Sequence, residues 1–146
     1  MTLKLGCGKV QIMKIEFFLP IIPPTKTHQQ KRVRVVNGKP MFYEDQALAG
    51  VRNKLEAYLC KHRPEKPFLG AVQLMTKWCY PLGKHKQGYK TTKPDTDNMV
   101  KMLKDVMTTL GFWKDDSQVA SEITEKFWAE PCGIYVCIQE LEEINK

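Results

Sequence analysis

The chain has 146 residues, 42% hydrophobic and 27% charged, with a formal net charge of +7. That length suits one domain with a modest core, and the composition excludes disordered and fibrous classes. No apolar run approaches the roughly 20 residues of a membrane-spanning helix, and the alternating start "MTLKLGCGKVQIMKIEFFLP" lacks a signal-peptide core. Residues 1–10 read as a flexible extension of a single domain spanning 1–146. "QIMKIEFFL" at 11–19 then predicts a strand, rich in β-formers. "PIIPP" interrupts it, and "RVRVVNGKPMFY" places Asn37-Gly38 between β-prone flanks, a hairpin signal. In "YEDQALAGVRNKLEAYLCKHR", Leu48, Val51, Leu55 and Leu59 fall at helical spacing, with acids near the start and bases at the end.

"AVQLMTKWCY" alternates, with Val72, Leu74, Trp78 and Tyr80 on one face of a strand. A Gly/Pro-bounded basic loop follows, "PLGKHKQGYKTTKP". A second helix runs from about Thr96 to Leu110 and ends at Gly111. "SQVASEITEKFW" and "CGIYVCIQEL" are two closing strands, with Pro131 and Gly133 at the turn between them. The expected fold is a two-layer α+β sandwich, a small mixed β-sheet with two main helices packed on it.

The five cysteines, Cys7, Cys60, Cys79, Cys132 and Cys137, are odd in number and form no Cys-x-x-Cys pair. They read as reduced thiols of a cytoplasmic protein, each adequate as a small buried hydrophobe. Positive charge is uneven. Lys26, Lys31, Arg32, Arg34 and Lys39 crowd one segment; Lys84, His85, Lys86, Lys90 and Lys93 crowd another that holds no acid. Two basic loops suggest a polyanionic partner, although solvated loops would look the same.

Against that background, Asp95, Asp97, Asp105, Asp115 and Asp116 concentrate in one short stretch. On a helical wheel Met99, Val100, Leu103, Val106, Met107 and Leu110 fill one arc. Asp97, Asn98, Lys101, Lys104 and Asp105 fill the other. Each acid has a plain structural explanation: Asp95 or Asp97 as a helix cap, Asp97–Lys101–Asp105 as an exposed ion-pair ladder, Asp115 and Asp116 as turn residues. The alternative is a shared cation. If the strand beginning near Asp116 ran beside the start of the helix, three like charges would meet. Their carboxyl pKa values would then rise unless a cation neutralised them. Hard oxygen donors without Cys or His favour Mg²⁺ or Mn²⁺ over Zn²⁺. If the helix were antiparallel to that strand, Asp116 need not return to Asp95.

The spacing within "PDTDNMVKMLKDVMTTLGFWKDDSQV" closely resembles the RusA family of Holliday junction resolvases: Asp-x-Asp-Asn, a Lys three residues later, then Asp-Asp-x-Gln-Val. "FFLPIIPPTKTHQQ" is similar to that family's first strand and Pro-Pro loop. The likeness extends from about Lys14 to Leu141. It implies a Mg²⁺-dependent homodimeric endonuclease that cuts four-way DNA junctions by paired symmetric nicks, with Mn²⁺ as a substitute. It implies Asp95, Asp97 and Asp116 as metal ligands and Lys101 as the catalytic lysine. Asn98, Asp105 and Asp115 take supporting roles, and Lys31, Arg32, Arg34, Lys84, Lys86, Lys90 and Lys93 meet DNA. The loop "KHKQGYKTTK" departs from a dense arginine run.

Two other functions fit the same residues: a non-catalytic DNA-binding module, and a Mg²⁺-dependent phosphotransfer enzyme for a small phosphate. His28, His62 and His85 stand apart from the acids, so neither zinc nor general-base chemistry is expected of them, and His85 joins the DNA-facing loop. Tyr89 is an exposed loop tyrosine able to stack on a base. Trp78, Trp113 and Trp128 are core or dimer-interface aromatics.

Overall fold

The computed structural model describes residues 2–5, 8–25, 32–43 and 46–142. Its elements in chain order are β1 (Thr2–Leu5), β2 (Gly8–Gln11), β3 (Lys14–Leu19), β4 (Arg32–Val36), β5 (Lys39–Tyr43) and α1 (Gln46–Cys60). There follow β6 (Val72–Tyr80), β7 (Gly88–Tyr89), α2 (Thr96–Thr109), a short 3-10 turn at Asp116–Gln118, β8 (Val119–Trp128) and β9 (Gly133–Glu140). β3, β9, β6, β8 and β7 form one mixed sheet in that spatial order. Only β6 and β8 pair parallel within it. The chain between those two strands is therefore a crossover, and it contains α2.

β6 shows why the sheet is two-sided. Its residues alternate between buried and half-buried along all nine positions. Val72, Leu74, Trp78 and Tyr80 enter the core with Ile134, Val136 and Ile138 of β9. The one polar member of the inner row, Thr76, is buried, and its hydroxyl accepts the Trp78 indole N–H at 2.8 Å. An unpaired hydroxyl there would be costly. Leu48, Leu55 and Leu59 of α1 and Met99, Leu103, Val106 and Met107 of α2 complete the same core. Both helices thus cover one face of the sheet, making the expected two-layer α+β sandwich. Burial of each such side chain is worth about 1.5–3 kcal/mol. Val51 and Leu110, expected on the apolar faces, pack at the core's edge.

The Asn37-Gly38 turn forms as expected. Both residues have positive φ, 52° and 75°, and join β4 to β5 in a hairpin. Gly111 ends α2 with φ of 83°, a conformation few side chains tolerate.

Thr2–Leu5 and Gly8–Gln11, the strands β1 and β2, pair antiparallel with each other. Two local expectations need correction. α1 begins at Gln46 and carries no acid in its first turn and no base in its last. Lys61, His62 and Arg63 follow the helix rather than end it, while Glu44 and Asp45 lie outside the described residues. β8 starts at Val119, because Asp116–Gln118 is a helical turn. The basic loop also contains β7, two residues paired to the end of β8, too short to announce itself by periodicity.

Among the described residues the cysteines Cys60, Cys79, Cys132 and Cys137 are free thiols, and no helix is long and apolar enough to cross a membrane. Trp78 and Trp113 are core residues, the latter donating its indole N–H to Thr108 Oγ1 at 2.7 Å.

Candidate active site

The acids divide into two groups at opposite ends of α2. Asp95 is the N-cap residue, with its backbone carbonyl accepting from Met99 N at 3.1 Å. Its side chain makes no capping hydrogen bond, so the structural explanation offered for this carboxylate does not apply. Asp97 is exposed in the first turn. Asn98 is half-buried, and Lys101 is exposed one turn further on.

The second group forms around the 3-10 turn. Asp115 caps it, accepting from Ser117 N at 3.0 Å. This backbone bond, helped by a hydrogen bond with Asp116, holds the Asp115 carboxyl below its ordinary pKa. Burial pushes the Asp116 carboxyl up, and the Asp115 hydrogen bond, the Asp115 charge and the Asp105 charge act in the same direction, opposed by Lys104. Lys104 itself pairs with Glu122 of β8 at 2.8 Å.

These contacts fix the direction of α2. Lys126, near the end of β8, donates to the carbonyls of Thr92 at 2.7 Å and Pro94 at 2.9 Å, just before α2. Glu122, four residues earlier on β8, meets Lys104, late in α2. The helix is antiparallel to β8, and Asp116 lies level with Asp105. Ten residues of helix separate Asp105 from Asp95, about 15 Å at 1.5 Å per residue. Among the described residues no three carboxylate, imidazole or thiol groups come close enough to hold a metal ion. The expectation that Asp95, Asp97 and Asp116 converge within one chain is therefore corrected. The parallel β6–α2–β8 crossover returns the chain to the far end of the sheet before Asp116 is reached.

The donor chemistry nevertheless fits Mg²⁺. That ion keeps several waters and takes one or two carboxylates plus substrate phosphate, so no ready-made protein cage is needed. Asp95 is free of capping. Burial first, and then the neighbouring Asp115 and Asp105, disfavour the charged form of Asp116, a penalty of the kind a bound cation relieves.

Gln118 is a residue whose role the sequence reading passed over. Its amide accepts from Lys114 N (2.9 Å) and Asp115 N (3.2 Å) and donates to Phe68 O (2.8 Å) and Gly70 O (3.0 Å). It thereby ties the Asp115-Asp116 turn to the segment leading into β6. Gln three residues after a capping Asp is a capping-box pattern legible in the sequence. Gln118→Ala is expected to lower stability by about 1–3 kcal/mol, read from urea unfolding, and to slow any catalysis that uses Asp116.

Of the basic residues, Lys84, Lys86 and Lys93 are exposed. Arg32 and Arg34 lie on β4, and Lys31 is outside the described residues. Lys90 is 6% exposed, its ammonium bonded to Thr92 Oγ1 and to Lys93 O (2.7 Å) rather than extended into solvent. The His85 ring lies flat on Trp128, 3.8 Å between centroids, and His62 lies flat on Phe17 at 4.4 Å. Tyr89 is exposed and stacks on Phe127 at 4.9 Å. Tyr80 donates from its hydroxyl to Pro24 O at 2.8 Å, joining the Pro-Pro loop to the sheet beside α2.

The family model of endodeoxyribonuclease RusA matches residues 13–139. The chain belongs to the RusA family. A protein of Lactococcus phage r1t named "Crossover junction endodeoxyribonuclease rusA" is 37% identical over 112 residues, covering 73% of this chain and 83% of its own length. The uncharacterized YqaN of Bacillus subtilis (strain 168) is 36% identical over 94 residues, covering 56% of this chain and 66% of its own. In this RusA-family chain the matched region holds the five-stranded sheet up to the penultimate residue of β9, both helices and every candidate acid.

Proposed function

We propose that the protein is a divalent-metal-dependent endodeoxyribonuclease that resolves four-way DNA junctions by paired nicks, working as a homodimer. RusA-family membership carries the reading of the reaction. The observation that supports two chains is the separation of the acids. Asp95 and Asp97 stand at one end of α2 and Asp116 at the other. A second copy related by a two-fold axis brings Asp116 of one protomer to Asp97 of its partner, and repeats the site on the second strand. Two symmetry-related sites suit two symmetric cuts.

Asp95 and Asp97, with Asp116, would hold Mg²⁺ or Mn²⁺. The bound cation supplies Lewis-acid polarisation of the scissile phosphate. Lys101, exposed one turn after Asp97, stabilises the added negative charge of the pentacovalent transition state. Lys84, Lys86 and Lys93 bind the phosphate backbone, with Arg32 and Arg34 on the β4–β5 hairpin as a second basic element. A separate carboxylate patch can sit on a basic protein because a cation stands between it and the DNA.

The test is cleavage of a synthetic four-way junction beside a linear duplex of the same sequence, with Mg²⁺ or with EDTA. Paired nicks in the junction alone, lost on chelation, are the expected result. Chelation should leave junction binding in place, and that binding should weaken steeply with salt. Metal-independent cleavage, or equal cleavage of linear DNA, would remove the proposal. A binding-only module would show the gel shift and no nick under either condition.

A further inference from the structure

Three consecutive residues, Thr92, Lys93 and Pro94, turn their carbonyl oxygens toward two ammonium groups. Lys126 donates to the carbonyls of Thr92 and Pro94 at 2.7 and 2.9 Å. Lys90 donates to the carbonyl of Lys93 at 2.7 Å and to the Thr92 hydroxyl. The two lysines are held side by side, because Lys90 N donates to Lys126 O at 3.0 Å. The Lys90 ammonium also lies over ring faces, 4.3 Å from the Trp128 centroid and 5.0 Å from that of Tyr80, where the quadrupole favours a cation.

For stability alone this is a poor arrangement. Burying an ammonium costs free energy, and a second cation beside it adds to the cost. Burial and the neighbouring Lys126 both depress the Lys90 pKa. What the pair achieves is control of the backbone that leads to Asp95. At an N-cap, an Asp carboxylate usually folds back onto the first free N–H groups of the helix. Here the N-cap backbone has the usual extended conformation, φ −72° and ψ 150°, but the carboxylate makes no such bond. The path into α2 is fixed from outside by ammonium–carbonyl bonds, leaving Asp95 available.

We propose that Lys126 and Lys90 are positioning residues for this nuclease: by clamping the carbonyls of Thr92–Pro94 they set the start of α2, and so aim Asp95 and Asp97 at the reacting phosphate. The inference rests on the reading of Asp95 and Asp97 as catalytic. It assigns no DNA contact to either lysine.

The experiment measures single-turnover cleavage of a four-way junction in Mg²⁺, junction affinity without metal, and thermal unfolding. It uses Lys126→Met, Lys126→Arg and Lys90→Met in the full chain, with Asp97→Asn alongside. Displacing a catalytic group by about 1 Å costs about 10²-fold in rate. Lys126→Met and Lys90→Met are therefore expected to cleave about 10²-fold more slowly while binding the junction as the parent does. Lys126→Arg keeps a multi-donor cation and recovers most of the rate. Lys90→Met should unfold at the parent's temperature or above, since an apolar chain replaces a buried cation.

Two results overturn the inference. One is parent-like cleavage by Lys126→Met. The other is rate and unfolding temperature falling together in all three lysine variants, with no recovery by arginine. If Lys126→Met does not fold, Lys90→Met and Lys126→Arg decide by the same comparison. An inactive Asp97→Asn beside an active Lys126→Met removes only the clamp. An active Asp97→Asn removes the reading of the site beneath it.

Discussion

Asp97→Asn and Asp116→Asn should each cleave a four-way junction about 10³-fold more slowly than the parent and bind it at least as well. The loss follows from removing an anionic ligand of an ion whose contribution is several kcal/mol, at about 1.4 kcal/mol per factor of ten. Binding survives because asparagine keeps the volume and removes a negative charge from a surface that meets phosphate. The pair also tests where the site is assembled. Coexpressed, the two variants form mixed dimers. If Asp97 of one protomer works with Asp116 of the other, one of the two sites carries both substitutions and the other carries none. Mixed dimers then nick one strand at about half the parental rate per dimer, but do not make paired cuts. If each site is built within one chain, both remain damaged and mixing restores nothing. A nicking assay on a cruciform plasmid distinguishes these outcomes. Undiminished cleavage by Asp97→Asn alone would end the metal-site proposal.

Gly133→Ala should destabilise the fold by about 2–5 kcal/mol, combining overpacking and backbone strain. Gly133 opens β9 with φ of 154°, and a Cβ there would lie 2.2 Å from Phe18 Cζ and 2.5 Å from the carbonyl oxygen of Leu19. The Phe18 ring, 37% exposed, can swing away. The Leu19 carbonyl cannot, because β3 and β9 are paired there, Leu19 opposite Ile134. Phe18→Ala in the same chain should therefore restore only part of the loss. Urea unfolding of the two single variants and the double variant measures it. A Gly133→Ala protein of parental stability would mean that the β3–β9 register tolerates a wider separation than it shows.

Much of this was legible residue by residue. The alternation in β6 marked Val72, Leu74, Trp78 and Tyr80 as an inner row, since side chains two apart on a strand share a face. The wheel of α2 separated Met99, Leu103 and Val106 from Asp97 and Lys101 for the same kind of reason. Asn37-Gly38 announced its turn because few other pairs accept positive φ twice. β7 and the inward course of Lys90 were not legible. Two residues of strand have no period, and a lysine in a basic loop looks the same whether its ammonium meets water or a carbonyl.

The sequence by itself determined the main strands and helices, the identity of the acids and the family to which they point, because these depend on local spacing and on residue chemistry. Only the tertiary structure decided which acids are neighbours. The parallel pairing of β6 with β8 makes α2 run back along the sheet, so a helix of 14 residues stands between Asp95 and Asp116. Strand pairing over such a separation is set by how the whole core closes, and no window of sequence contains it.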